Sequence, residues 1–299
     1  MLASGTPALT DTHVTPLELS QPLHVTVVLK NRNTDQLDAF LRDVNQPGTT
    51  LAADIHTGQH LISDLELRYQ PRKGAQLAID EYNTANPDAC VTLKKFDTQG
   101  DPAKAPAAAQ AAIDDATVLG LIGPGFSGET NAAAPLYEKA GLGFVTGSAT
   151  NAKLQTNGWK VFHRLLANDD KQGPAIANYL IAQGAKTVAV IDDGSDYGKG
   201  LAGSVASTLG AVATLTDTID PKAADFSAAV SKVKDAAPEY VFYGGYYGEA
   251  AKLATQLKDA GVTAVFVSGD GVKDQAGFAD AAGPAAEGAL IGCPCKDGS

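Results

Sequence analysis

From about residue 65 the chain alternates between two periods of apolar residues. Short apolar runs at 91–96, 118–122, 142–145, 187–191, 212–215, 240–243, 264–267 and 289–292 read as strands. Between them apolar residues recur every three or four positions, the mark of an amphipathic helix, over 74–83, 102–116, from Ser127 to a stop at Ala140-Gly141, and over 171–183, 197–209, 226–236 and 249–260, with a short helix near 275–281. Strands that alternate with helices of about 10–15 residues predict mainly parallel sheets flanked by helices, an α/β fold. The piece 160–168 carries neither period and reads as a bridge, so two lobes are predicted, 61–166 and 167–299. Residues 1–60 differ in texture: 23–29 alternates like a strand, 34–44 reads as a short amphipathic helix ended by Pro47-Gly48, and 51–60 has no clear period.

The stretch 118–150 concentrates the candidate chemistry. An apolar run ends in Gly123-Pro124-Gly125-Phe126-Ser127-Gly128 and passes into a helix, and a second run ends in Thr146-Gly147-Ser148-Ala149-Thr150. Ser127 sits at an N-cap position, so its hydroxyl and the first-turn amides suit an anion such as a carboxylate. Gly123, Gly125 and Gly128 also satisfy G-x-G-x-x-G, but a dinucleotide site wants an acid about 20 residues on, at the end of the next strand, to hold a ribose. That strand ends in Val145-Thr146-Gly147-Ser148, without one. A tight turn with no ligand is a further reading; a small anionic or zwitterionic ligand is the favoured one.

Charge narrows the partners. With 23 Lys and Arg against 34 Asp and Glu, the formal charge of -11 argues against nucleic acid or an anionic membrane. No apolar stretch approaches the roughly 20 residues of a membrane helix, so no direct membrane insertion is expected. The N-terminus, MLASGTPALTDTHVTPLEL, has no basic region, continuous apolar core or lipid-accepting cysteine, so no signal peptide or lipobox is read there. Cys90, Cys293 and Cys295 read as inert thiols, because Cys293-Pro294-Cys295 is too tight for a redox pair and no second Cys or His pair suggests zinc. No metal and no cofactor is expected. Catalysis is not expected either: His13, His24, His56, His60 and His163 lie mostly in the N-terminal piece, none beside Ser127 or Ser148 in sequence.

Ligands of open α/β sheets bind beyond the carboxyl ends of strands. Those ends offer hydroxyls and glycines at Ser127 and Ser148 to Thr150, and tyrosines and acids at Asp192-Asp193, Tyr197, Tyr246-Tyr247 and Asp270. The combination suits a zwitterion gripped between lobes: carboxylate toward Ser127, ammonium toward Asp270, apolar side chain against tyrosine faces. Plainer readings stand beside these. Asp192 and Asp193 serve equally as helix N-terminal charges, Tyr246 and Tyr247 as half-buried strand-end aromatics, and Asp270 as a turn former.

The segments FDTQGDPAKA, GLIGPGFSGETNAAAPLYEKAGLGFVTGSATN, NDDKQGPAIANYL, DDGSDYGKGLA, EYVFYGGYYGEAAKLATQLKDAG and VSGDGV, followed by AAEGAL, resemble in combination and order the branched-chain amino acid (Leu/Ile/Val) solute-binding proteins of ABC importers. The resemblance spans about 65–295 and implies a type I periplasmic-binding-protein fold, two lobes that close by a hinge on an apolar amino acid, a membrane ABC permease as partner, and a periplasmic or cell-surface location. It implies that Ser127 binds the ligand carboxylate, that Ser148 and Thr150 hold the ammonium and carboxylate, and that Asp270 stands for a family glutamate neutralising the ammonium. Tyr197 and Tyr246 would wall the side-chain pocket. Phe126 stands where many members carry a cysteine, and Gly100 where its disulfide partner would be. Since the chain stops at Ser299, the C-terminal part of that fold is expected to be missing and the first lobe, 61–166, incomplete. A ligand-sensing receptor or regulatory module of the same fold is the alternative, and a truncated fusion protein without binding activity another. Residues 11–50 resemble instead the start of the activation prodomain of sedolisin-type (kumamolisin-like) peptidases, but no G-T-S-x-S nucleophile motif follows.

Overall fold

The structure, a computed structural model, describes residues 71–87 and 91–294. The strand and helix read within 1–60, the prodomain-like segment, Cys90 and Cys295 lie outside the described residues. Cys293 is disulfide-bonded, which corrects its reading as a free thiol.

The described chain divides into two units. One comprises the residues up to Gly125 together with Ala132–Gly147 and Trp159–Leu165; the other comprises Phe126–Asn131, Ser148–Gly158 and everything from Leu166. In chain order the elements are α1 (Pro71–Ala85), α2 (Ala105–Asp114), β1 (Leu121–Ile122), α3 (Ser127–Ala140), β2 (Phe144–Thr146), β3 (Phe162–Arg164), α4 (Asp169–Ala182), β4 (Val188–Asp192), α5 (Asp196–Leu209), β5 (Ala213–Thr218), α6 (Ser227–Ala236), β6 (Tyr240–Gly244), α7 (Tyr247–Asp259), β7 (Val265–Ser268) and β8 (Leu290–Ile291). Among the described residues no helix is long and apolar enough to cross a membrane.

The second unit is built on a five-stranded sheet of order β5-β4-β6-β7-β8, every pairing parallel. Successive side chains of a strand point to opposite faces, so the near-continuous apolar runs of β4 and β6 supply two cores at once. On one face Ala189, Ile191, Val241, Tyr243 and Phe266 pack against Val230 and Val233 of α6 and Leu253 and Leu257 of α7. On the other, Val188, Val190, Phe242 and Val267 meet Ile176 and Leu180 of α4 and Leu201 and Val205 of α5. Each such fully buried side chain contributes about 1.5–3 kcal/mol relative to exposure. At the sheet edge β5 alternates partly buried and exposed residues, as expected of a strand covered on one face.

Helices α4 and α5 approach closely because Gly173 faces Ser204: a Cβ at Gly173 would stand 2.5 Å from the Ser204 hydroxyl. Gly203 is the converse case, an exposed residue inside α5 with nothing within 4 Å of an added Cβ. Gly203→Ala is therefore expected to raise stability by about 0.5–1 kcal/mol, measured by urea unfolding, through the lower backbone entropy of the unfolded chain.

The first unit carries a three-stranded parallel sheet, β1-β2-β3, whose core is aromatic. Phe144 lies 5.0 Å from Tyr137 and 5.4 Å from Phe162 between ring centroids. Strand β3 falls inside the piece expected to be only a bridge: Phe-His-Arg shows no apolar period, and its register with Phe144, Val145 and Thr146 comes from tertiary pairing. The run 91–96 differs the other way. It joins no strand ladder among the described residues, and Asn83 takes the place of a neighbouring strand by bonding both the amide and the carbonyl of Val91, at 3.0 and 2.9 Å.

Candidate functional site

The in-phase register of β4, β6 and β7, with Asp192 opposite Gly244 and Tyr243 opposite Ser268, brings the carboxyl ends of three strands to one edge. Three turns leave there, carrying Asp193 to Ser195, Gly245-Tyr246 and Gly269-Asp270. To the same unit belong the first turn of α3 and the segment Ser148–Gly158. All seven predicted site residues, Phe126, Ser127, Ser148, Thr150, Tyr197, Tyr246 and Asp270, thus lie in one unit.

Contacts join them in series. The half-exposed Phe126 meets Tyr246 edge to face at 5.0 Å between centroids, and Tyr246 meets Tyr197 at 5.2 Å. Tyr197 is 3% exposed, and its hydroxyl accepts the amide N–H of Gly271 at 2.9 Å and donates to Asp270 Oδ1 at 2.9 Å. Tyr197, expected to wall a pocket with its ring, binds a carboxylate with its hydroxyl. Glycine is required around it: a Cβ at Gly271 would lie 2.6 Å from the Tyr197 ring.

The hydroxyl side is built on the turn into α3. The helix begins at Ser127, so the cap position falls on Phe126, whose N–H donates to the buried Glu129 carboxylate at 3.3 Å, one half of a capping box. Ser127 is freed from capping. Its Oγ accepts the amide N–H of Asn151 at 3.1 Å, and among the described residues nothing accepts its proton. Thr150 Oγ1 is buried with no hydrogen-bond partner, while the Thr150 carbonyl accepts the N–H of Asp169 at 2.9 Å. Asn151 ties this segment to α5 by donating to the Asp196 carbonyl. Ser148 is partly buried beside them in sequence.

Electrostatically the edge is acidic. Desolvation pushes the Asp270 carboxyl above the ordinary carboxylate range, opposed by hydrogen bonds from Gln172 and Tyr197 and by its own backbone. Burial also raises Asp193, against bonds from the Ser195 hydroxyl and amide at 2.6 and 2.9 Å, with Glu249 and Asp192 raising it further. Burial raises the Tyr246 phenol well above its usual value, and the charges of Asp193, Asp270, Glu129 and Asp169 add to this. A ring of carboxylates around neutral phenols favours a cation, and the hydroxyls of Ser127 and Thr150 offer donors for an anion. Among the described residues no group of three His, Cys, Asp or Glu is arranged to hold a metal ion.

Sequence reasoning missed Gln172, Asn151 and Glu129, all buried. For Gln172 a signal exists: it occupies the i, i+4 stripe of α4 with Ile176 and Leu180, a polar residue on an apolar face.

The family model described as "Periplasmic binding protein" matches residues 70–294. The leucine-, isoleucine-, valine-, threonine- and alanine-binding protein of Pseudomonas aeruginosa is 33% identical over 229 residues, 75% of this chain and 61% of that protein. The Leu/Ile/Val-binding protein of Citrobacter freundii is 32% identical over 74% of this chain and 61% of its own length. Among solved structures, the branched-chain amino acid transporter substrate binding protein LivJ of Streptococcus pneumoniae in complex with isoleucine is similar with a TM-score of 0.66 at 31% identity, covering 71% of this chain and 62% of that one. The leucine binding protein LivK of Thermotoga maritima is similar with a TM-score of 0.65 at 30% identity, over 71% and 62%. The chain spans about three fifths of the length of the curated relatives it matches.

Proposed function

The chain belongs to the periplasmic binding protein family, and from that premise we propose that it captures a branched-chain or other apolar amino acid and releases it unchanged to an ABC-type importer. Support comes from the contact series Phe126, Tyr246, Tyr197, Asp270, which sets a carboxylate at one end of an aromatic surface, and from the Ser127 hydroxyl next in sequence to the other end, which accepts the Asn151 N–H and keeps its own proton to donate. In this reading Asp270 faces the ligand ammonium, Ser127, Ser148 and Thr150 take its carboxylate and remaining ammonium protons, and Phe126 and Tyr246 cover its side chain. The protein works as a binding component rather than an enzyme, in the periplasm or at the cell surface, with a membrane permease as its partner. The similarity to proteins named for leucine, isoleucine and valine binding supports this ligand class.

The test is a thermal-shift panel of leucine, isoleucine, valine and alanine, with NAD as control. A ligand at a hundred times its Kd stabilises by about 2.7 kcal/mol, a rise of roughly 5–10 °C. A rise with one or more of the aliphatic amino acids is expected. A flat panel, or a rise with NAD alone, overturns the proposal.

A further inference from the structure

Gln172 is 4% exposed, on the face of α4 that meets the sheet, and its side chain does two things there. It brings its amide close to the Asp270 carboxylate, whose charged form it favours, and its Nε2 reaches the Gly292 carbonyl at 3.4 Å, while its Oε1 is buried with no hydrogen-bond partner. Nε2 and the Tyr197 hydroxyl lie 3.2 and 2.9 Å from the Cβ position of Gly269, so they close on the residue before Asp270 together. A buried acceptor left unpartnered is destabilising, and an apolar side chain of similar shape would avoid that cost. A glutamine kept only for packing would therefore be a poor choice here.

We propose that Gln172 is a positioning residue: its side-chain amide, acting with the Tyr197 hydroxyl, holds the Asp270 carboxylate fixed and charged to receive a ligand's ammonium group. The ligand part of this rests on the amino-acid reading above; the hold on Asp270 does not. Hydrogen bonds donated to a carboxylate favour its charged form, and the desolvation of Asp270 works against it. The other groups to be accounted for are Asp169 on α4, which acts on Tyr197, then Asp193 after β4 and Glu129 in the first turn of α3, which act with Asp169 on Tyr246, and Lys273 within Asp270's own turn. Desolvation opposes ionisation of Asp270, and the neutral donors Gln172 and Tyr197, together with its own backbone, sustain it.

The test titrates Asp270 in the ligand-free protein, labelled with ¹³C at aspartate carboxyls and assigned by Asp270→Asn. Gln172→Leu is expected to move the Asp270 midpoint upward, and Tyr197→Phe, which keeps the ring, is expected to do the same. Leucine affinity at pH 7 falls about tenfold in Gln172→Leu, as for a lost bond to a charged group, and the pH below which affinity is lost moves up with the midpoint. An Asp270 midpoint unchanged in Gln172→Leu overturns the proposal, whatever Tyr197→Phe does, as does an upward shift with leucine affinity and its pH profile unaltered. If Gln172→Leu does not fold, Tyr197→Phe and Gln172→Asn, whose shorter amide should also raise the midpoint, decide the matter. Failure of the parent protein to bind any amino acid would instead overturn the proposed function, and the ligand-free titration would still decide whether Gln172 holds Asp270 charged.

Discussion

Asp270→Asn is expected to melt higher than the parent protein when empty and to bind leucine roughly a hundredfold more weakly. Both effects come from one desolvated carboxylate. Burial raises the Asp270 carboxyl above its unfolded value, so its stability contribution is fully present below the ordinary carboxylate range and is lost as pH rises through the raised value. At neutral pH the empty site thus holds a charge at a cost, and the amide removes it while still accepting from the Tyr197 hydroxyl. A gain of about 1 kcal/mol corresponds to a melting temperature about 2–4 °C higher. The difference should close as the pH falls below the ordinary carboxylate range, where both side chains are neutral. Binding responds oppositely: a buried ammonium without its counter-charge costs about 3 kcal/mol, hence the factor of a hundred. Scanning calorimetry across pH, with and without leucine, checks both halves. An empty variant that melts lower at pH 7 would contradict the electrostatic part.

Gly198→Ala is expected to destabilise the protein by about 3 kcal/mol, lowering its melting temperature by roughly 6–12 °C. Gly198 is buried in the first turn of α5, where Ser195 caps its amide at 2.9 Å. An added Cβ would collide with Asp193 Oδ1 and lie 2.5 Å from the Gly244 carbonyl, and that carbonyl already accepts the Asp193 N–H at 3.1 Å. Neither neighbour is free to move, because Asp193 is bound to Ser195 and Gly244 closes β6. The disturbance passes into Gly245 and Tyr246, so ligand affinity should drop with stability. The contrast with Gly203→Ala in the same helix separates close packing from helix propensity. Equal effects from both substitutions would show that the close approach is not what limits stability.

The α/β architecture of the second unit was legible in the letters because buried parallel strands such as Val188 to Ile191 are apolar throughout while their helices keep a 3.6-residue period. Strand β3 was not legible. Phe162, His163 and Arg164 form a strand through pairing with β2, a long-range fact that no local pattern carries. The site shows the same division. Phe126, Ser127, Thr150, Tyr246 and Asp270 could be picked out as candidates because ligands of such sheets sit beyond strand ends, and because the sequence resembles a known family. The hydroxyl role of Tyr197 and the approach of Gln172 to Asp270 could not, since each depends on which side chain meets Asp270 once α4, α5 and β7 are packed. Ser127 was read at the cap position, which falls instead on Phe126: Glu129 reaches back to the helix start, and the Ser127 hydroxyl meets Asn151 instead of capping.

The central claim, that the edge formed by Ser127, Tyr246 and Asp270 clasps an apolar amino acid at both charged ends, is tested most directly by isothermal titration of leucine, leucine methyl ester and N-acetyl-leucine at pH 7. Saturable one-to-one heat with leucine, severely weakened when either the carboxylate or the ammonium is masked, is the predicted result. Equal binding of all three compounds, or no heat from any of them at millimolar concentration, would contradict it.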